Sequence, residues 1–222
     1  MTSPLAAGVA VALISLLAVL GPLLGLSPWL ITLAVGLVLT ALTVDAARFS
    51  GRGGHLLAEA LPGGEARLRR IAVHEAGHLL IAEAEQLPVQ RVLVGNLACL
   101  QAGLAAAGST EFEPPAQAKL PLEQLRRWSR VLQAGMAAEQ LLYGSSLGGA
   151  DDRALLGRIW GVSGHDVDTA QREQRRARRE IDQALRAAQP QLEAEAERLL
   201  AAAPRLGRRS ATAVSENAPA NP

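Results

Sequence analysis

Residues 72–80 read Ala-Val-His-Glu-Ala-Gly-His-Leu-Leu, with two histidines four positions apart and a glutamate directly after the first. Side chains four apart lie on the same face of a helix, so His74 and His78 can reach one metal ion together. Glu75 is rotated by about 100° from His74, which places it to take a proton from a metal-bound water rather than to bind the metal in line. The stretch therefore indicates a helical metal site with zinc-type ligands.

The sequence around this stretch predicts one buried helix from Glu65 to Leu87, because apolar residues recur at helical spacing between Pro62-Gly63-Gly64 and Pro88. Buried imidazoles need polar partners, and a metal ion supplies one. Gly77 costs about 1 kcal/mol of helix propensity relative to Ala. That cost indicates that a substrate or a neighbouring element approaches the backbone of this helix.

A third protein ligand is expected, because hydrolytic zinc usually takes three and leaves one position for water. The longer signature with a third histidine on the same helix is absent. His55 and His165 are expected to be solvated, so a carboxylate is the expected third ligand. Glu139 lies inside a second predicted helix, and Asp151 and Asp152 lie where a glycine-rich loop meets a helix. Acidic residues at a helix start are also ordinary caps, so spacing alone leaves the choice open.

The rest of this region is predicted to be mainly α with a small β element. Two short strands, Val89–Val94 and Gly103–Thr110, are predicted around a turn at Gly95-Asn96. Helices are predicted over Leu122–Tyr143 and after Asp152, and a long charged helix over 167–203 with an interruption at Pro190.

The N-terminal segment carries no charged side chain from Pro4 to Val44. Two apolar runs, Pro4–Leu20 and Trp29–Val44, flank a Gly/Pro-rich break and predict a transmembrane helical hairpin over residues 1–46. A single kinked span and a cleaved signal peptide are the alternatives, and the uncharged start disfavours the signal peptide. Arginines cluster directly after the second run, so everything beyond it is expected to face the cytoplasm or stroma.

Composition narrows the classes of partner. The net charge is +1 and basic residues are interleaved with acidic ones, so no nucleic-acid partner is expected. Residues 47–64 are predicted to be a linker, and residues 206–222, rich in Pro, Ser, Asn and Arg, a disordered tail.

Four blocks together resemble the peptidase domain of the FtsH-type membrane zinc metalloproteases over about residues 65–205. They are His74-Glu75-Ala76-Gly77-His78, Gly135-Met136-Ala137-Ala138-Glu139, Tyr143-Gly144 and Gly149-Ala150-Asp151-Asp152. In that family the third zinc ligand is an Asp after a Gly-Ala loop, and the matching position is Asp152. The loop is one residue shorter here, so Asp151 stays the alternative ligand. Glu139 matches a characteristic family residue, which is expected to orient the site rather than to bind Zn²⁺.

The resemblance implies an integral membrane zinc endopeptidase, of a bacterial inner or thylakoid-type membrane, that acts on protein or peptide substrates. Glu75 is the expected catalytic base. No Gly-x-x-x-x-Gly-Lys-Ser/Thr loop is present, so the activity is expected to be ATP-independent and restricted to unfolded or flexible segments. An FtsH-type ATPase or further copies of the chain are candidate partners.

One other function stays open: a catalytically inactive relative that acts as a membrane scaffold or partner of active FtsH subunits. A non-enzymatic membrane anchor is a further alternative, but it leaves the His74-Glu75-Ala76-Gly77-His78 motif unexplained. An intramembrane protease is disfavoured, because Arg69-Arg70 and Glu83-Ala84-Glu85 bracket the motif too closely for a span. An extended substrate is expected to pair with a strand edge, for which Val92–Val94 is the candidate.

Overall fold

The computed structural model describes residues 12, 14–49, 56, 59, 63–115 and 117–205. The chain divides into two units, Met1–Ala58 and Glu59–Pro222. The described part is mostly helical with a two-stranded sheet, which confirms the predicted fold class of mainly α with a small β element. The tail 206–222, His55 and most of the predicted linker lie outside the described residues.

The first unit contains the apolar helix α1, Pro28–Phe49, preceded by helical residues 14–20 and a short 3₁₀ turn, Pro22–Leu24. Residues 14–20 and α1 line a shared apolar cleft of about 280 Å³. Over Pro28–Ala47, α1 is long and apolar enough to cross a membrane, a test that signal sequences and apolar core helices also pass. Most of the first predicted span, before residue 14, lies outside the described residues.

The second unit has eight described elements in chain order. They are α2 (Gly64–Ala84), β1 (Val89–Val94), α3 (Asn96–Gln101), β2 (Gly108–Phe112), α4 (Leu122–Tyr143), α5 (Ala150–Ser163), α6 (Val167–Ala187) and α7 (Gln189–Ala202). Helix α4 has its predicted bounds and ends at Gly144, which takes the left-handed conformation. Helix α2 ends three residues earlier than predicted, where Gln86 has a φ of 55° and turns the chain towards β1.

The predicted break at Pro190 lies two residues earlier, at Ala188. Pro190 falls within the first turn of α7, where no backbone N–H is needed for the helix, so the proline begins a helix instead of ending one.

The predicted turn at Gly95-Asn96 is wrong, and the second strand lies later than predicted. Asn96 begins helix α3, because Glu59 reaches from far along the chain and accepts hydrogen bonds from the backbone N–H (2.8 Å) and side-chain amide (2.6 Å) of Asn96. Strand β2 then pairs antiparallel with β1 and continues to Phe112. Phe112 packs edge-on against Trp128, at 5.6 Å between ring centroids, which keeps this end of β2 against the helices.

The core of the second unit forms where α2, α4, α6 and α7 pack together, with β1 and β2 along one side. Helices α2 and α4 approach closely at Gly77. A Cβ there would lie 2.7 Å from the Ala134 carbonyl oxygen and 2.7 Å from the Ala138 methyl group. The element that approaches Gly77 is therefore a neighbouring helix, and this close contact fixes α2 against α4 beside the histidines.

Candidate metal centre

Three side chains from two helices meet in the second unit. His74 and His78 are buried on α2, and their Nε2 atoms lie 3.1 Å apart. The Asp152 Oδ2 atom, from the first turn of α5, lies 3.2 Å from His74 Nε2 and 3.4 Å from His78 Nε2. Two imidazole nitrogens and one carboxylate oxygen thus form a nearly equilateral triangle.

The size of this triangle fits a tetrahedral metal ion. Zinc binds His and Asp atoms at about 2.0–2.2 Å, and tetrahedral ligands at that distance lie about 3.3 Å from one another. The three observed separations of 3.1, 3.2 and 3.4 Å are close to that value. Asp151 lies one position earlier on the same helical turn and is exposed. Asp152 is the member of the pair that joins the histidines.

The outer nitrogens of both imidazoles are held by acceptors. His78 Nδ1 donates to the Val131 carbonyl oxygen (2.8 Å) and His74 Nδ1 donates to Glu139 Oε1 (2.7 Å). A carbonyl oxygen can only accept, so the proton of a neutral His78 is on Nδ1 and its Nε2 lone pair faces the triangle. Such acceptors orient metal-binding histidines and make them stronger ligands.

Glu139 connects the site to the loop before Asp152. It is 2% exposed and accepts four hydrogen bonds. Oε1 accepts from His74 Nδ1 (2.7 Å) and the Gly148 N–H (3.1 Å), and Oε2 accepts from Arg70 Nε (2.6 Å) and the Leu147 N–H (2.9 Å). One carboxylate therefore joins α2, α4 and the segment that leads into α5.

Glu75 lies beside the triangle under strand β2. It is 4% exposed, and its Oε2 accepts a hydrogen bond from Thr110 Oγ1 at 2.7 Å. Gly108 of the same strand lies against the other oxygen, and a Cβ on that glycine would lie 2.5 Å from Glu75 Oε1. The hydrogen bond from Thr110 thus fixes Oε2. Oε1 lies in a space that exists because Gly108 has no side chain.

The electrostatics of the cluster favour positive charge at its centre. Burial by itself would lower the pKa of His74, but hydrogen bonds to Asp152 and Glu139 outweigh it and raise this pKa to about 10. Burial would raise the pKa of Glu139, yet the hydrogen bonds from His74, Leu147 and Arg70 hold it at about 2. The pKa of Asp152 is held below its usual range against burial by the two imidazoles, and burial raises the pKa of Glu75. A divalent cation would supply the charge that these carboxylates stabilise.

Gly135 makes room for the histidine pair, a role that sequence reasoning missed. A Cβ at this position would lie 2.5 Å from His74 Nε2 and 2.6 Å from His78 Nε2. The available signal was a glycine inside α4, where it costs about 1 kcal/mol of helix propensity relative to Ala. His165 lies outside the cluster and is half-buried, with its ring 5.5 Å from that of Trp160.

Comparison with known proteins adds a partial match. A segment of 91 residues is 36% identical to the ATP-dependent zinc metalloprotease FtsH of Methylococcus capsulatus. The similarity indicates a relation to the FtsH family. The matched segment is 40% of this chain but 14% of that relative's length. No family model matches the sequence. A metal-binding geometry and a partial likeness to a metalloprotease thus occur in one chain.

Proposed function

We propose that this chain is a membrane-tethered zinc endopeptidase that hydrolyses peptide bonds in unfolded or flexible protein segments. The observation that carries the proposal is the triangle of His74, His78 and Asp152 with the Glu75 carboxylate beside it. The partial similarity to a zinc metalloprotease supports the same chemistry.

In the proposed mechanism His74, His78 and Asp152 would hold Zn²⁺, which when bound would acidify water and polarise the scissile carbonyl group. Glu75 Oε1 would accept a proton from the water that attacks the carbonyl carbon and would return it to the leaving amine as the C–N bond breaks, while Thr110 keeps the other Glu75 oxygen fixed. The acceptors on Val131 and Glu139 hold the Nδ1 atoms of the two imidazoles, so that both Nε2 atoms face the triangle.

Strand β2 is the better candidate for pairing with an extended substrate. Its residues Gly108 and Thr110 contact the Glu75 carboxylate, whereas the expected strand Val92–Val94 belongs to β1, which pairs with β2. A peptide added to the free edge of β2 would place its backbone beside the base.

The substrate range follows from the free energy needed to unfold a protein substrate. These 222 residues contain no Gly-x-x-x-x-Gly-Lys-Ser/Thr loop, so they hold no such site for coupling ATP to unfolding. A domain stable by about 5–15 kcal/mol exposes its backbone too rarely to enter a buried zinc site. Acting alone or as a homo-oligomer, the chain cuts flexible termini, loops and damaged proteins, and an FtsH-type ATPase partner would extend that range.

The N-terminal apolar segment tethers the peptidase unit to a bilayer in this proposal. The arginines that follow α1 favour a cytoplasmic or stromal location for the second unit. A cysteine introduced at Ser210 should be labelled only after the membrane is opened. Labelling in sealed cells would contradict this orientation.

The deciding experiment uses the purified full chain in detergent. Elemental analysis should find close to one zinc per chain, and Asp152→Ala should lose most of it while the matched control Asp151→Ala keeps it. Glu75→Gln should keep zinc and lose cleavage of an unstructured protein, because an amide cannot accept the proton. Cleavage by Glu75→Gln at the wild-type rate would refute the assigned base. A zinc-loaded wild type that cleaves nothing would support the inactive-scaffold alternative.

A further inference from the structure

Arg69 and Arg70 are neighbours in sequence but differ in environment. The Arg69 side chain is 52% exposed and pairs with Glu197 on the surface, at 2.6 Å. The Arg70 side chain is 20% exposed and is directed at Glu139. From sequence both are positive residues that flank a membrane segment and the motif, and only Arg70 is four positions before His74.

The Arg70 guanidinium contacts three residues, Glu139, Ser145 and Tyr143. Its Nε donates to Glu139 Oε2 at 2.6 Å. One terminal nitrogen donates to the Ser145 carbonyl oxygen and to Ser145 Oγ, the latter at 3.1 Å. The guanidinium also lies over the Tyr143 ring, 4.9 Å from its centroid. The Arg70 guanidinium therefore connects Tyr143, at the end of α4, and Ser145, just after it, to the Glu139 carboxylate that accepts from His74.

The position of Arg70 explains how these contacts reach the metal triangle. It lies one helical turn before His74, so both side chains project from the same face of α2 onto the Glu139 carboxylate. The loop that Arg70 and Glu139 hold, residues 145–149, leads into the first turn of α5, which carries Asp152. Arg70 thus contacts both supports of the site: the acceptor behind His74 and the loop before Asp152.

Charge gives an independent argument. In their ionised forms Glu75, Glu139 and Asp152 contribute three buried or half-buried negative charges to one region. Arg70 supplies the guanidinium that pairs with the most buried of these carboxylates, Glu139. Without Arg70 the Glu139 carboxylate would lose this charge partner and would be drawn towards other donors.

We propose that Arg70 is a positioning residue of the metal centre: it fixes Glu139 and the 145–149 loop so that His74 and Asp152 are held at metal-binding distance. This rests on the proposed zinc site. Outer partners of metal ligands, here Glu139, are worth about 10–100-fold in metal affinity. Arg70 acts one contact further out, so Arg70→Met should weaken zinc binding by up to about 10-fold.

The test compares Arg70→Met with the matched control Arg69→Met in the full chain, and measures zinc affinity by competition with a chromophoric chelator. Arg69→Met should bind zinc like the wild type. Arg70→Lys should be intermediate, because a lysine keeps the charge but cannot reproduce the planar fork. The visible spectrum of Co²⁺-loaded protein should change for Arg70→Met and stay unchanged for Arg69→Met, which a general loss of stability would not produce.

Two further comparisons separate positioning from folding. Arg70→Met should reduce zinc affinity much less in a Glu139→Gln background, because the two residues act through one contact. If Arg70→Met does not fold, Arg70→Lys carries the test alone. Equal zinc affinity for the Arg70 and Arg69 variants would overturn the inference while leaving the zinc site intact. Weaker zinc binding by Arg70→Met in a chain that cleaves nothing would uphold the inference and refute the proposed peptidase. A wild type that binds no zinc would overturn both.

Discussion

The two halves of helix α4 use burial for different purposes. The first half buries Leu125, Trp128 and Leu132 in an apolar cluster with Trp160 from α5. The second half buries Gly135 and Glu139 against the histidines of α2. The first half thus packs apolar side chains. The second half leaves room for the two imidazoles and places the Glu139 carboxylate beside them.

The polar groups of the two halves also differ in where their hydrogen-bond partners lie. In the first half, Ser129 Oγ donates to the Leu125 carbonyl oxygen (2.7 Å) and accepts from Trp160 Nε1 (2.9 Å), so both groups are satisfied within the cluster. In the second half, Glu139 takes donors from two distant parts of the chain, helix α2 and the 145–149 loop. We infer that the first half mainly stabilises the fold, and that the second half mainly sets the geometry of the site.

The largest expected effect on stability is in the first half. Leu132→Ala removes a side chain that is 1% exposed, and should lower the free energy of unfolding by about 2–5 kcal/mol. Zinc stoichiometry at low temperature should stay close to that of the wild type. Chemical denaturation measures the change in stability, and elemental analysis measures the zinc stoichiometry. The control Leu155→Ala, on the exposed side of α5, should change stability by about 0.5 kcal/mol or less. Zinc loss in folded Leu132→Ala would contradict this division.

The next largest effect is expected in the second half. Gly135→Ala introduces a methyl group 2.5 Å from His74 Nε2, and such overpacking costs about 1–3 kcal/mol. Because the histidines must move, the loss of zinc-binding free energy should exceed the loss of unfolding free energy. Gly157→Ala on α5 is the matched control, since its Cβ would meet nothing within 4 Å. That variant should gain up to about 1 kcal/mol from helix propensity and bind zinc normally. Equal zinc affinities for the two variants would show that Gly135 is not needed by the site.

The smallest effect concerns the surface of the first half, where Arg126 donates to Glu173 of α6 at 2.8 Å. The hydrogen bond from Arg126 lowers the pKa of Glu173. A lowered carboxylate pKa adds stability above the unfolded value of about 4.3, and that stability is lost as pH falls through the lower folded value. Glu173→Gln should therefore be less stable than the wild type at neutral pH, by about 1 kcal/mol or less. The difference should shrink in acid. A difference that grows on acidification would contradict the assignment.

The local features of this protein can be predicted from short stretches of its sequence. The helical repeat of apolar residues predicted α2 and α4, and the mainly α class with a small β element follows from such local patterns. The i, i+4 spacing placed His74 and His78 on one face, because helix geometry fixes that relation within a single turn. Val89–Val94 was also predicted correctly as a strand, since β-branched residues between turn signals favour one.

The relations between elements depend on tertiary packing. Packing brings Asp152 rather than Asp151 to the histidines, because the direction in which the first turn of α5 faces depends on how the 145–149 loop is held. Packing gives Arg70 its contact with Glu139, and it explains Gly135 and Gly77, since both lie where helices α2 and α4 approach. It also turned Asn96 into a helix start through Glu59. Local propensities are about 1 kcal/mol or less per residue, so a few long-range hydrogen bonds and close packing contacts override them.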